Sequence, residues 1–431
     1  MSKYNRNMKI KFSYLIIVLC AVNVVLAHAQ EPLTWEECVF EAKNNHPDLM
    51  SAKEKLKQTG YDKDIAIGAM LPQITSNAEG KRAKPASSNK ESNTYSYGLS
   101  GKQLAFDGFK TASTVGSAEK TISAEQYNYA VTSSDVRLNL KTAFAALLRA
   151  QDLITLTEDI ARRRKQNLEL VELRYEAGRE HKGALLTAQA DLAQADFEVA
   201  QAKRNLSLAQ HELSKELGRQ NFTPVNVKGD FDIKGAEKEK PDLEYLAENT
   251  PFLKELIAKK EAARFDYASA QSEFFPKVYL ETSYSDTASD SDWPIKDSSK
   301  AWGAGVSISF PLFEGGTRIA QASKARSQWK QAQADERSGH DSVIVVLERT
   351  WKNFQDSIES VSVKRQFVIA AEERAKIASA QYSSGLISFD DWVIIEDNLV
   401  AAQKTYLNSQ ADLLLAEANW MQAKGVTLDE T

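Results

Sequence analysis

Between residues 182 and 217 apolar residues recur at every seventh position. Leu185, Leu192, Val199, Leu206 and Leu213 form one seam, and Ala188, Ala195, Ala202 and Ala209 form a second seam three positions on. The theme returns near the C-terminus in Leu399, Tyr406, Leu413 and Trp420, with Ala402, Ser409 and Ala416 on the companion seam. A seven-residue apolar repeat keeps facing a partner only when helices coil left-handedly about each other, and alanine lets their backbones approach closely. Proline punctuates the rest of the chain. None lies between Pro85 and Pro224 or after Pro311, and a helix interior tolerates none. The pattern predicts helices from about Trp35 to Met70, Ser113 to Glu176 and Lys182 to Leu217, then the same series again. At 1.5 Å per residue the second of these is a rod of about 95 Å, longer than a globular domain is wide. The first and third, stacked end to end, match its length. Such helices build the wall of a cylinder rather than a compact core.

A different period governs residues 72–106 and their counterpart. Tyr95, Tyr97 and Leu99 alternate with Ser96, Gly98 and Ser100. The second set is cleaner: Trp302, Ala304, Val306, Ile308 and Phe310 alternate with Gly303, Gly305, Ser307 and Ser309. Its partner alternates Val278, Leu280, Thr282 and Tyr284 with Tyr279, Glu281, Ser283 and Ser285. Alternation predicts strands with one apolar, aromatic face. A half-buried soluble sheet shows it too, but nine or ten residues also match one tilted bilayer crossing. The stretches Lys84–Asn93 and Thr287–Lys300 read as polar loops. Four strands cannot close a barrel, and lipid does not tolerate open edges. Membrane strands here require several chains to share one barrel, and three chains make twelve strands around one pore.

The chain is written twice. His46-Pro47-Asp48-Leu49 parallels Thr250-Pro251-Phe252-Leu253, and Leu71-Pro72-Gln73-Ile74 parallels Phe275-Pro276-Lys277-Val278, both 204 positions apart. Ala105-Phe106-Asp107-Gly108 parallels Leu312-Phe313-Glu314-Gly315 at 207, as do Arg174-Tyr175-Glu176-Ala177-Gly178 with Gln381-Tyr382-Ser383-Ser384-Gly385, and Gly218 with Gly425. One change of three residues between two constant offsets marks a duplication with a single small insertion. The expected units are residues 30–218 and 243–431. Residues 219–242, polar and carrying Pro224, Gly229, Gly235 and Pro241, form a linker or equatorial segment.

Residues 1–29 read as a secretory leader. Lys3, Arg6, Lys9 and Lys11 precede an apolar run that ends in Ala27-His28-Ala29, a small-x-small cleavage pattern. The run is too short for a membrane anchor and is broken by Asn23. Cys20 lies inside the run behind Leu19, which does not suit lipidation. Losing the four basic residues takes the formal charge from −5 to −9, which excludes a nucleic-acid partner on electrostatic grounds. Cys38 is then the lone cysteine, so no intramolecular disulfide forms. The five histidines, at 28, 46, 181, 211 and 340, are scattered, and no spacing makes a metal or cofactor site. Gly315-Gly316 opens a helix after a strand but lacks the lysine of a phosphate loop. No catalytic constellation is present. The competing function is a periplasmic or secreted coiled-coil scaffold or adhesion protein, which needs the heptads but not two aromatic hairpins of bilayer length.

At these residues the sequence resembles the TolC family of outer-membrane efflux proteins, over essentially the whole mature chain. The resemblance rests on Leu33-Thr34-Trp35-Glu36-Glu37-Cys38, on Leu71-Pro72-Gln73-Ile74 and Phe275-Pro276-Lys277-Val278 entering the hairpins, and on Phe106-Asp107-Gly108 and Pro311-Leu312-Phe313-Glu314-Gly315-Gly316 leaving them. The pair of glycine-ended helix tips completes it. It implies a homotrimer: a mainly α protein whose twelve-helix periplasmic tunnel joins a shared twelve-stranded β-barrel in the outer-membrane lipid. It also implies a passive exit duct for efflux or type I secretion, working with a periplasmic adaptor and, through it, an inner-membrane pump.

Two sets of site residues follow. Arg174, Tyr175 and Gly178, with Tyr382, Gly385 and Leu386, form the tips that meet the adaptor in the family; the same glycines also read as helix C-caps. Past the second tip lie Asp390, Asp391, Glu396 and Asp397, where the first copy has Gly183, Ala184, Gln189 and Ala190. This acidic cluster is either a solvated helix face or a ring of acids narrowing the periplasmic mouth. Gates in the family carry two acids three residues apart. Asp391 matches the first, but Ile394 stands at the second, so a full double ring is not expected.

Overall fold

The computed structural model describes residues 31–84, 91–231, 239–289 and 298–430. The predicted leader, the middles of both predicted loops and part of the 219–242 segment lie outside the described residues. The first half contains α1 (Trp35–Asn45), α2 (Pro47–Gly68), β1 (Gln73–Ala83), β2 (Ser92–Phe106), α3 (Lys110–Glu176) and α4 (Lys182–Glu216). The second half contains α5 (Leu243–Asn249), α6 (Pro251–Ser272), β3 (Lys277–Ser289), β4 (Ser298–Ser309), α7 (Thr317–Ser383) and α8 (Phe389–Ala423). Each of α3 and α7 has 67 residues, a rod of about 100 Å.

The helix expected from Trp35 to Met70 is in fact two. Pro47 brings no N–H and disfavours helical backbone at the residue before it. His46 is accordingly extended, with φ −67° and ψ 125°, and its Nδ1 accepts from the Asp48 N–H at 3.2 Å. Thr250 and Pro251 make the same break between α5 and α6, with Thr250 Oγ1 capping Leu253. Both breaks are seats for the far ends of later helices. Gly218, at φ +74°, follows α4, and a Cβ there would lie 2.4 Å from the Asn45 carbonyl oxygen. Gly425, at φ +79°, follows α8 and would strike Pro251.

The four strands form one antiparallel sheet in the order β1-β2-β3-β4. Tyr284 sits between Leu99 and Trp302, and Leu280 between Gln103 and Val306, so the apolar positions of adjacent strands share a face. The sheet hands over to the rods at Asp107-Gly108 and Glu314-Gly315-Gly316. Asp107 Oδ2 accepts the Thr111 N–H at 2.8 Å, and Gly108 and Phe109 take positive φ to turn strand into helix. Arg318 grips Glu314 with two bonds of 2.8 and 2.9 Å at the second handover.

Next to the sheet α3 packs on α2 and α6; farther away it packs on α4 and α8. Lys63–Glu119 (2.8 Å) marks the near contact and Lys203–Glu158 (2.9 Å) the far one. The apolar core is correspondingly divided along the rod. One cluster joins α1, α3, α4 and α8 around Leu140, Leu147 and Leu213; a second joins α5, α7 and α8 around Leu347, Trp351 and Trp420; a third closes the tips. Residues 225–231 are packed rather than trailing. Val225 and Val227 are buried in the first cluster, and the Gln151 amide bonds both backbone groups of Val227 at 2.9 Å.

The two heptads bury different seams over most of their length, although Leu213 on α4 and Ser409 on α8 are buried as well. On α4 the alanines are buried and Leu192, Val199 and Leu206 are half-buried, whereas on α8 Leu399, Leu413 and Trp420 are buried. The cause is the number of neighbours: α4 leans chiefly on α3, while α8 lies against both α7 and α3.

Candidate functional site

Two regions carry chemistry that the packing leaves unused. The first is the sheet. Its strands run 11, 15, 13 and 12 residues, enough for a tilted bilayer crossing. One face presents Ile74, Leu99, Leu280, Tyr284, Trp302, Val306 and Ile308, with Trp302 82% and Ile74 77% exposed. Leaving large side chains in water forfeits roughly 1.5–3 kcal/mol each, so this face demands an apolar surround. The opposite face carries serines, glycines and the Lys102–Glu281 pair (3.1 Å). Both edges, β1 and β4, lack a strand partner among the described residues. No described helix is long and apolar enough to cross a membrane.

The second region is the pair of helix tips at the far end of the rods. Both turns are built alike. Gly178 (φ +68°) donates to the Tyr175 carbonyl and Arg179 to that of Arg174; Gly385 (φ +79°) donates to Tyr382 and Leu386 to Gln381. This six-to-one closure satisfies the last carbonyls of α3 and α7. The C-cap role of both glycines is therefore realised in the structure. Tyr175, Gly178, Gly385 and Leu386 all lie on the surface, Leu386 at 74% exposure.

Tyr382 sits elsewhere than its membership of the contact tips led one to expect. Its side chain is fully buried, stacked on Trp392 at 4.3 Å with Arg174 over its other side at 4.6 Å. The hydroxyl donates to Glu180 Oε2 at 2.8 Å. Burial first, then this bond to Glu180, holds the phenol well above its ordinary range. Arg174 Nη1 donates to the Tyr382 carbonyl at 2.8 Å. Arg174 and Tyr382 thus bind one tip to the other rather than offering themselves outward.

The four acids in the first half of α8 divide in the same way. Asp390 and Asp391 are exposed in the first turn. Asp391 Oδ2 accepts from Ser388 Oγ at 2.7 Å, and Ser388 Oγ accepts the Asp391 N–H at 3.1 Å, a reciprocal cap favoured by the helix dipole. Glu396 is buried against α3, and burial pushes its carboxyl up despite the opposing pull of Arg163, Arg164 and Asn167. Asp397 pairs with Arg164 of α3, which also faces Asp191 of α4 at 3.6 Å. Glu396 and Asp397 therefore tie helices together, whereas Asp390 and Asp391 stay exposed with no cross-helix partner among the described residues.

Sequence reasoning missed Arg164, Asp191, Glu180 and Trp392. A signal existed: the positions 207 away from Arg164, Glu180 and Trp392 are Ala371, Ile387 and Leu185. At these three positions the residue that breaks the symmetry is the one that reaches the other copy.

A family model described as outer membrane efflux protein matches residues 39–219 and 243–426. The chain belongs to that family. It is 24% identical over 424 residues to the outer membrane efflux protein BepC of Brucella suis, covering 96% of this chain and 90% of that one. It is 25% identical over 410 residues to the outer membrane protein TolC of Vibrio cholerae, covering 91% of each. The crystal structure of CusC superposes with a TM-score of 0.83 at 18% identity, over 90% of this chain and 91% of that one. As a member of the family the chain is an outer-membrane channel-tunnel that reaches into the periplasm, and the scaffold or adhesion reading is set aside. The four-stranded sheet is one chain's share of a barrel, and the long helices are its share of the tunnel.

Proposed function

We propose that three copies of this chain close one twelve-stranded barrel and one twelve-helix tunnel, forming the passive exit duct of a tripartite efflux or type I secretion assembly. The observation that carries this reading is the open sheet. It exposes an apolar stripe on one face and bare hydrogen-bonding edges on β1 and β4, which pairing with a neighbour's β4 and β1 satisfies. The rods beyond it are too long for any compact domain. The exposed turn residues Tyr175, Gly178, Gly385 and Leu386 suit a periplasmic adaptor that connects the duct to an inner-membrane pump, with Arg174 and Tyr382 supporting them from behind. Asp390 and Asp391 suit a ring of acids at the periplasmic mouth. Native mass measurement in detergent tests the assembly: three protomers are expected, and a monomer with a closed barrel overturns it.

A further inference from the structure

The two tips share a backbone but not a cap. Position 388, which caps α8, is serine; position 181, which caps α4 and lies 207 residues earlier, is histidine. His181 is extended at φ −94° and ψ 157°, and its Nδ1 accepts the Ala184 N–H at 3.1 Å. Gly183 makes room for this: a Cβ there would lie 2.9 Å from His181 Nδ1. The turn so capped is part of the tip core, since Ala184 is fully buried and packs in the cluster of Ala188, Tyr382 and Trp392. His181 Nε2 stands 3.9 Å from Glu180 Oε1, while Glu180 Oε2 accepts the Tyr382 hydroxyl and lies 4.0 Å from Arg174 Nε.

We propose that the first tip carries a proton-sensitive helix cap and the second does not. An imidazole nitrogen accepts a hydrogen bond only while it keeps its lone pair, and imidazolium carries hydrogen on both nitrogens. Taking up one proton therefore turns His181 Nδ1 from an acceptor into a donor facing the Ala184 donor, and the first turn of α4 loses its cap. The same proton draws the ring toward Glu180, away from the carboxylate's bond to Tyr382. The other charged groups at the two tips are Arg174 and Glu176 at the end of α3, Arg179 in the turn, Lys182 at the start of α4, and Asp390 and Asp391 in the first turn of α8, the latter held by Ser388. None of them supplies Ala184 with a replacement acceptor. Histidine is the side chain that takes up charge between pH 8 and 5, as a general property, and a serine cap does not titrate. Acid thus loosens α4 at the tip while α8 stays capped, an asymmetric response from a nearly symmetric pair.

Hydrogen exchange on the purified full chain in detergent tests this, with rates corrected for the intrinsic effect of pH. Between pH 7.5 and 5.5, protection of the amides in residues 184–187 is expected to fall about five-fold, as loss of an N-cap implies, while residues 391–394 hold theirs. His181→Ser installs the cap that α8 uses and is expected to abolish the fall. Glu180→Gln removes the carboxylate but leaves the cap, and the fall is expected to persist. Equal responses of the two tips, no response at all, a fall that survives in His181→Ser, or one that vanishes in Glu180→Gln overturns the proposal.

Discussion

Replacing Arg164 with alanine tests how the tip end is held together. The Arg164 side chain is only 10% exposed and faces Asp191 of α4 at 3.6 Å while pairing with Asp397 of α8. Its charge also opposes the effect of burial on Asp191 and Glu396. Asp397 is 57% exposed, so its pair is screened and worth under about 1 kcal/mol. Asp191 and Glu396 are more enclosed, and a charged partner lost there costs roughly 1.5–3 kcal/mol. A total near 2 kcal/mol corresponds to roughly a thirty-fold loss of exchange protection where α3, α4 and α8 meet. The pH dependence follows from direction. Burial already raises both carboxyls, so each favours its protonated form in the folded chain and weakens the fold as pH rises through its folded pKa. Removing Arg164 raises them further. The cost of Arg164→Ala is therefore expected to be largest at pH 7.5 and to shrink toward pH 4.5. Arg162, 68% exposed and paired with Asp159 within its own helix, is the control and its loss should cost little. An Arg164→Ala variant no worse than Arg162→Ala, or one whose defect grows as pH falls, refutes the account.

Further outcomes concern other parts of the chain. Asp391→Ala should weaken cation selectivity and block by trivalent cations in planar bilayers while native mass still reports the intact assembly; unchanged selectivity and block would make Asp391 a cap residue alone. The same variant keeps the Ser388 cap but loses the carboxylate that holds the Ser388 hydroxyl and favours the helix N-terminus, so exchange at the start of α8 should rise by about two-fold. Cys38 is fully buried, and burial pushes its thiol up to about 12; a thiol reagent at pH 8 should leave it unmodified until denaturant is added, and ready labelling of the folded chain would contradict the packing around α1. Leu386→Asp should weaken capture by the adaptor without changing thermal stability, because the side chain touches little of its own chain, and unaltered capture would remove Leu386 from that surface.

Much of the architecture was legible in the sequence because it follows from periodicity. Heptads dictate long coiled helices, proline-free stretches dictate where they lie, and two-residue alternation dictates the strands and their apolar face. Glycines at matching places announced both tips, since only a residue free to take positive φ ends a helix in that closure. The break at Pro47 follows from local rules, since proline brings no N–H and turns the residue before it extended. Other features depend on what stands opposite a residue. Whether the alanine or the leucine seam is buried was decided by α8 having two neighbours and α4 mainly one. Tyr382 and Leu386 belong to the same turn, yet one is sealed between Trp392 and Arg174 and the other is bare. Asp391 and Glu396 are alike in sequence, and only the approach of α3 makes one a surface acid and the other a buried one. Local pattern fixes a residue's direction along its own helix or strand; burial, charge and partner are set by the helix that arrives from more than two hundred residues away.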